Sequence, residues 1–165
     1  MLSKTIQKAF DTQINNELES AYLYLAMSSY CIAGNYHGFS KWLRLQAQEE
    51  LGHGMKLFDY VHHRGGLATL YEIEKPSVSY KSLLDVFKDV LEHEKKVTGL
   101  IHKLYEMTMK ENDYASQVEL QWFITEQVEE EQTAMTIVEQ LKMIGDNKAA
   151  LLMMDKEMAG RSTAA

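Results

Sequence analysis

Apolar residues recur at steps of three and four along four long stretches, about residues 4–33, 36–64, 81–111 and 114–144, which is the spacing of amphipathic helices. Each stretch holds about 28 to 31 residues, or roughly 42 to 46 Å of helix at 1.5 Å per residue. Short turn signals separate the members of each pair, Ala33-Gly34-Asn35-Tyr36 in the first and Glu111-Asn112-Asp113-Tyr114 in the second. Each pair is therefore expected to fold back as an antiparallel helical hairpin. The middle connection, 65–80, is different. Gly65-Gly66 stops the second helix, and the lone proline, Pro76, precedes the third. About sixteen extended residues reach roughly 50 Å, enough to run the length of the bundle. The pattern predicts one all-α domain over 1–165, a four-helix bundle with one long crossover. Residues 146–158 follow Gly145 and read as a short fifth helix capped by Asp146. The last stretch, 160–165, has no pattern and is expected to fray.

Polar residues interrupt the inward faces at one place. The first helix presents Phe10, Ile14, Glu17, Ala21, Tyr24 and Ser28, and the second Phe39, Leu43, Gln46, Glu50, His53, Leu57 and Tyr60. The third presents Leu83, Phe87, Val90, Glu94, Val97, Ile101 and Leu104, and the fourth Ser116, Leu120, Phe123, Gln127, Glu130, Ala134, Ile137 and Leu141. Every helix thus sets a carboxylate near the middle of an apolar face. Counted outward from the two turns, the polar positions of each hairpin differ in height by no more than about 6 Å. Four carboxylates, one imidazole and one amide then meet at the bundle centre.

A buried ionised carboxylate costs several kcal/mol unless it is paired, and no Lys or Arg stands on these faces near that level. The compensating cation has to come from outside the chain. Carboxylate oxygens with a single imidazole suit a hard to borderline divalent metal, iron or manganese before the thiolate-preferring ions. So many anionic ligands point to two metals sharing a carboxylate. A second acidic group, Glu49, Glu126 and Glu129 beside Glu130, is either a solvated helix face or an additional metal position on the same wall.

Composition narrows the function further. One proline and nine glycines among 165 residues agree with a chain that is nearly all helix. Seventeen basic against 24 acidic residues give a net charge of −7, which argues against a nucleic-acid partner. No apolar run approaches the roughly 18 residues of a membrane span. The first ten residues mix charges into their apolar positions, unlike a secretory signal. The single cysteine, Cys31, has no partner in the chain, so a reducing cytoplasm is the expected setting.

A Glu on the first helix, Glu-x-x-His on the second, a Glu on the third and acids on the fourth resemble the ferritin-like di-iron carboxylate proteins. The most specific pieces are Gln48-Glu49-Glu50-Leu51-Gly52-His53 and Trp122-Phe123-Ile124-Thr125-Glu126-Gln127-Val128-Glu129-Glu130-Glu131, and the family they resemble most is the bacterial non-haem ferritins. The resemblance spans about residues 1–158. It implies a ferroxidase that oxidises Fe(II) with dioxygen and stores Fe(III) as mineral inside a shell, a homo-oligomer of 24 subunits with the fifth helix at a symmetry axis.

Carried over by position, Glu17, Glu50 and His53 would hold one iron, and Glu50 would bridge to a second completed by Glu94 and Glu130. Gln127 would lie beside that pair as a hydrogen-bonding neighbour. Glu49, Glu126, Glu129 and Glu130 match a third iron site, and Tyr24 matches a tyrosine kept beside the centre, as a core residue or as an electron donor. Bacterioferritins and rubrerythrins carry a second Glu-x-x-His where this chain has Gln127-x-x-Glu130. Leu51 stands where bacterioferritins place a haem-ligating Met, so no haem is expected. The competing reading is a di-iron oxidoreductase or peroxidase on the same bundle that stores no iron.

Overall fold

The computed structural model describes residues 1–162. It contains five helices in the order α1 (Lys4–Ala33), α2 (His37–His63), α3 (Leu83–Lys110), α4 (Tyr114–Ile144) and α5 (Lys148–Met158), and no strand among the described residues. The four long helices form the expected bundle. Their ends fall within two residues of the positions read from the pattern.

Both hairpins turn the same way. Asn35 and Asn112 take left-handed backbones, with φ of 63° and 56°, a conformation asparagine tolerates better than other side chains. Behind each, an amide reaches back five residues, Tyr36 to Cys31 and Asp113 to Thr108, both at 2.9 Å. This is the hydrogen bond that closes a helix C-terminus. Gly65, at φ 75°, does the same for α2, with Gly66 N bonded to Val61 O at 2.9 Å.

The crossover then runs back along α1. Gln7 Nε2 donates to Leu67 O at 2.9 Å, and Asn15 accepts from Tyr71 N at 3.2 Å. A second junction ties the end of α2 to the start of α4, where Arg64 pairs with Asp113 at 3.0 Å. Asp113 is also the N-cap of α4.

Two expectations are corrected at the C-terminal end. The fifth helix starts at Lys148, and its cap is Asn147, whose Oδ1 accepts from Ala150 N at 3.1 Å. Asp146 does not cap it, because Gly145 takes a left-handed backbone (φ 54°) and Asn147 N turns back to Ile144 O, which moves the helix start two residues along. The tail is also not loose where it is described. Lys41 Nζ donates to Ala159 O at 2.6 Å, and Arg161 binds the Trp42 carbonyl and Glu49. Residues 163–165 lie outside the described part of the chain.

The interior is built in three storeys. One apolar cluster gathers Met27, Phe39, Leu43, Phe87, Ile137 and Met154, and another gathers Phe10, Ile14, Leu57, Ile101, Leu120 and Phe123. Between them lies the polar level containing Glu17, Glu50, His53, Glu94, Gln127 and Glu130, all buried. Ala21 and Tyr60, assigned to inward faces, sit at the margin and are only partly buried. Helices α1 and α3 approach closely, whereas no α2 Cα comes within 8 Å of an α4 Cα. Long side chains span that side of the bundle, which is where Glu50 and His53 face Gln127 and Glu130.

Candidate metal centre

Three of the four inward carboxylates, Glu17, Glu50 and Glu94, are held by a partner from their own or a neighbouring helix. Gln13, one turn before Glu17, donates to Glu17 Oε1 at 2.7 Å, and Gln46, one turn before Glu50, donates to Glu50 Oε1 at 2.9 Å. The other Glu50 oxygen lies 3.4 Å from His53 Nδ1. Across the bundle, Glu94 accepts from the Tyr24 hydroxyl, and Gln127 Nε2 donates to Glu94 Oε2 at 3.1 Å. Gln127 also reaches the Glu94 carbonyl oxygen at 3.2 Å, which locks α4 to α3 at this height.

Ligand atoms of Glu17, Glu50 and His53 all lie within 4.8 Å of one another, and so do those of His53, Glu126 and Glu130. Glu17 Oε2 and Gln46 Oε1 are fully enclosed and have no hydrogen-bond partner. An orphaned carboxylate oxygen at the centre of a cluster of acids is costly as it stands, and a bound cation would satisfy it. The donor set therefore fits one or more hard divalent ions such as Fe(II).

The electrostatics are those of a crowded acidic site. Burial and then the Glu50 charge push Glu17 well above the ordinary carboxylate range. Burial, Glu50 and Glu130 raise Glu94 to about 8, and burial with Glu50 raises Glu130 to about 7. Burial opposes ionisation of Glu50, but His53 and the Gln46 amide outweigh it and hold Glu50 below the ordinary value. Burial also disfavours charging His53, yet its bond to Glu50 raises the imidazole to about 9. The surroundings thus favour an ionised Glu50 against a protonated His53 and shift Glu17, Glu94 and Glu130 toward their protonated forms. Tyr24, wholly enclosed beside Glu94, is held well above the ordinary phenol value.

The sequence-derived set is brought together unevenly. Glu17, Glu50, His53, Glu94, Gln127, Glu130 and Tyr24 share the central level. Of the second acidic group, Glu126 is half-buried beside His53 and Glu130, whereas Glu129 is exposed. Glu49 is half-buried and paired with Arg161.

Other residues contribute that the inward-face pattern does not single out. Gln13 lies outside that pattern, and the pattern gives Gln46 an inward position without a role. The signal was present, because Gln precedes Glu by four in both helices of the first hairpin. Trp122 and Phe123 set their rings edge-on to His53, with centroids 5.3 and 6.1 Å away. Lys56 Nζ sits over the Trp122 ring, 3.6 Å from its centroid. His93 packs edge-on against Tyr24 at 5.6 Å and bonds Ser20 at 2.8 Å. These contacts cross between helices, and helical spacing alone does not reveal them.

A surface groove lies elsewhere. It runs along the outer side of α1 and α2 past Leu18, Tyr22, Leu25, Ala47 and Leu51. Its lining is mostly apolar, with Arg44 and Gln48 as its polar members, and contains no His, Cys, Asp or Glu.

Known proteins share this chain's sequence pattern and fold. A ferritin-like domain family matches residues 7–144. The bacterial non-heme ferritin of Staphylococcus haemolyticus is 42% identical over 162 residues, covering 98% of both chains, and that of Staphylococcus aureus is 38% identical over the same length. Among solved structures, the open-pore ferritin of the hyperthermophilic archaeon Archaeoglobus fulgidus is 50% identical with a TM-score of 0.97, covering 98% of each chain. A closed form engineered from that ferritin superposes with a TM-score of 0.98 at 49% identity, covering 99% of this chain and all of the other. The chain belongs to the ferritin-like family, with the bacterial non-haem ferritins among its relatives.

Proposed function

We propose that this protein is an iron-storing ferritin subunit that oxidises Fe(II) at the central cluster and passes Fe(III) to a mineral inside a closed shell of like subunits, 24 by resemblance to its relatives, in the cytoplasm. The observation that carries the proposal is the buried level of four carboxylates and one imidazole, with Glu17 Oε2 left unpartnered at its centre. Glu17, Glu50 and His53 hold the first Fe(II). Glu50 bridges to the second, which Glu94 and Glu130 complete. Gln127 and Tyr24 fix the Glu94 carboxylate by their hydrogen bonds.

Two Fe(II) ions give up one electron each, and one dioxygen takes both electrons with two protons and leaves as hydrogen peroxide. A dinuclear site thereby avoids releasing a one-electron product. Mostly anionic oxygen ligands favour Fe(III) over Fe(II) and drive the oxidation forward. Glu94, Glu130 and His53, whose surroundings favour their protonated forms, give up protons as metal binds. The acids on the outer side, Glu126 and Glu129 with Glu49, provide weaker positions through which Fe(III) leaves.

Two measurements test the proposal. Fe(II) added in air develops ferric absorbance in the native protein, and Glu50→Ala and His53→Ala each reduce the initial rate at least tenfold; unchanged rates in both variants overturn the oxidation step. Sedimentation analysis gives the mass of a closed shell that retains iron on passage through a desalting column. A monomer or dimer at every ionic strength overturns storage while leaving the oxidation step standing.

A further inference from the structure

Arg161 lies beyond the last helix and is held at three points. Its guanidinium pairs with Glu49, donates to the Trp42 carbonyl at 3.3 Å, and sits 4.3 Å from the centroid of the Trp42 ring. The segment that carries it is bolted to the start of α2. Asp155 Oδ1 accepts from Gly38 N and Phe39 N, and Lys41 binds the Ala159 carbonyl. Met154 and Met158 are buried in the apolar cluster that contains Phe39 and Phe87. The position of Arg161 is therefore set by packing as well as by its charge.

Glu49 is one of the acids outside the central level, and its charge acts on both Glu126 and Glu130. Left ionised among those acids, it would be repelled by them. A planar guanidinium supplies the compensation a cation would supply, and it stacks on Trp42 at the same time.

We propose that Arg161 is the resident counter-ion of Glu49, so that a metal ion reaches Glu49 only by displacing the guanidinium, and the tail beyond α5 sets how tightly the outermost iron position is held. This rests on the ferritin reading of the central cluster. Two ions per chain bind at the central level without involving Arg161, and the third competes with it. The exit position is weak because one of its ligands already has a partner, and weak retention suits a station that Fe(III) must leave.

The test is calorimetric titration of the assembled protein with Zn(II), and with Fe(II) under anaerobic conditions. Native protein and Arg161→Gln are each expected to take two tight ions per chain, with the third about tenfold tighter in the variant. In the double variant Glu49→Gln, Arg161→Gln the gain disappears, which separates competition at Glu49 from a general loosening of the tail. Arg161→Lys keeps the charge without the planar fork and is expected to give a third affinity between the two, and it serves if the glutamine variant does not fold. A third affinity equal in native protein and both Arg161 variants, or a gain that survives loss of Glu49, overturns the proposal. Fewer than two tight ions in the native protein overturns the ferritin reading and this inference with it.

Discussion

His53 Nδ1 lies 3.4 Å from Glu50 Oε2, one helical turn earlier on α2. The pair is the one place in the central level where a charge finds its opposite without metal. The contact raises the imidazole to about 9 against burial. A histidine that binds metal must be neutral, so metal has to remove a proton that the site itself holds firmly. Glu94 and Glu130, raised to about 8 and about 7, add to that store.

Metal binding is therefore expected to release protons, roughly two to four per pair of ions near pH 6.5. Calorimetry of Zn(II) binding in buffers of different ionisation enthalpy measures the number directly. Affinity should fall steeply as the pH drops from about 8 to 6, because the protons compete with the metal. Release of less than one proton per pair of ions would show that the carboxylates are already ionised in the metal-free protein.

The same shifts make the metal-free protein less stable as pH rises. Glu94 and Glu130 have ordinary values of 4.5, and in the folded chain they hold their protons to about 8 and about 7. Between these limits the folded state binds more protons than the unfolded state, so stability falls with increasing pH. His53 acts in the same direction. Its stabilisation is complete below 6.5 and is lost as pH rises through about 9. Thermal unfolding of the chelator-treated protein should give a Tm that declines from pH 5 to pH 8, and Zn(II) should abolish most of the decline. A Tm that rises over this interval in the metal-free protein contradicts the stored-proton picture.

Most of the bundle was legible because its signals are local. The four helices follow from 3.6-residue periodicity, the two hairpin stops from Asn35 and Asn112, and the crossover from Gly65-Gly66 and Pro76. The central level was legible for a different reason, since carboxylates on apolar faces are anomalies that only a common partner resolves. Helical spacing does not specify what crosses between helices. Asp155 capping α2, Arg161 meeting Glu49 and Trp122 meeting His53 pair residues more than sixty positions apart. Asp146 and Asn147 are equally good caps in sequence, and the backbone of Gly145 decides between them.

Gln46 supports Glu50 while carrying an unmet need of its own. Its Nε2 donates to Glu50 at 2.9 Å, and its Oε1 is enclosed without a partner. Gln46→Leu removes the donor that helps keep Glu50 ionised, and it removes the orphaned oxygen at the same time. The two effects separate in measurement. Metal affinity should fall on the order of tenfold, as for the loss of one hydrogen bond to a charged group, while the Tm of the metal-free protein changes little. A lowered Tm with unchanged metal affinity would assign Gln46 to packing alone.

Asp155 is a helix cap delivered from another helix. Tyr36, at the start of α2, makes no side-chain cap, and the amides of Gly38 and Phe39 are met instead by Asp155 Oδ1 at 2.8 and 3.0 Å. Replacing Asp155 with Ala leaves both amides without this acceptor and should cost about 1 kcal/mol. Asp155→Asn keeps an acceptor but loses the charge that faces the positive end of α2, so it should cost less. Gly38 makes the approach possible, because a Cβ there would stand 1.6 Å from the Asp155 carbonyl oxygen. Backbone cannot yield that distance, so Gly38→Ala should lift α5 away, exposing Met154 and Met158 and speeding amide hydrogen exchange across 148–158. Gly99→Ala is the matched control, since a Cβ at that position in α3 meets nothing within 4 Å. There the gain in helix propensity should stabilise the chain by about 0.5 to 1 kcal/mol. Opposite signs for the two glycine substitutions are expected in thermal unfolding of the metal-free protein. Equal protection of α5 in Gly38→Ala and the native chain would mean that α5 is held by its methionines and not by the α2 terminus.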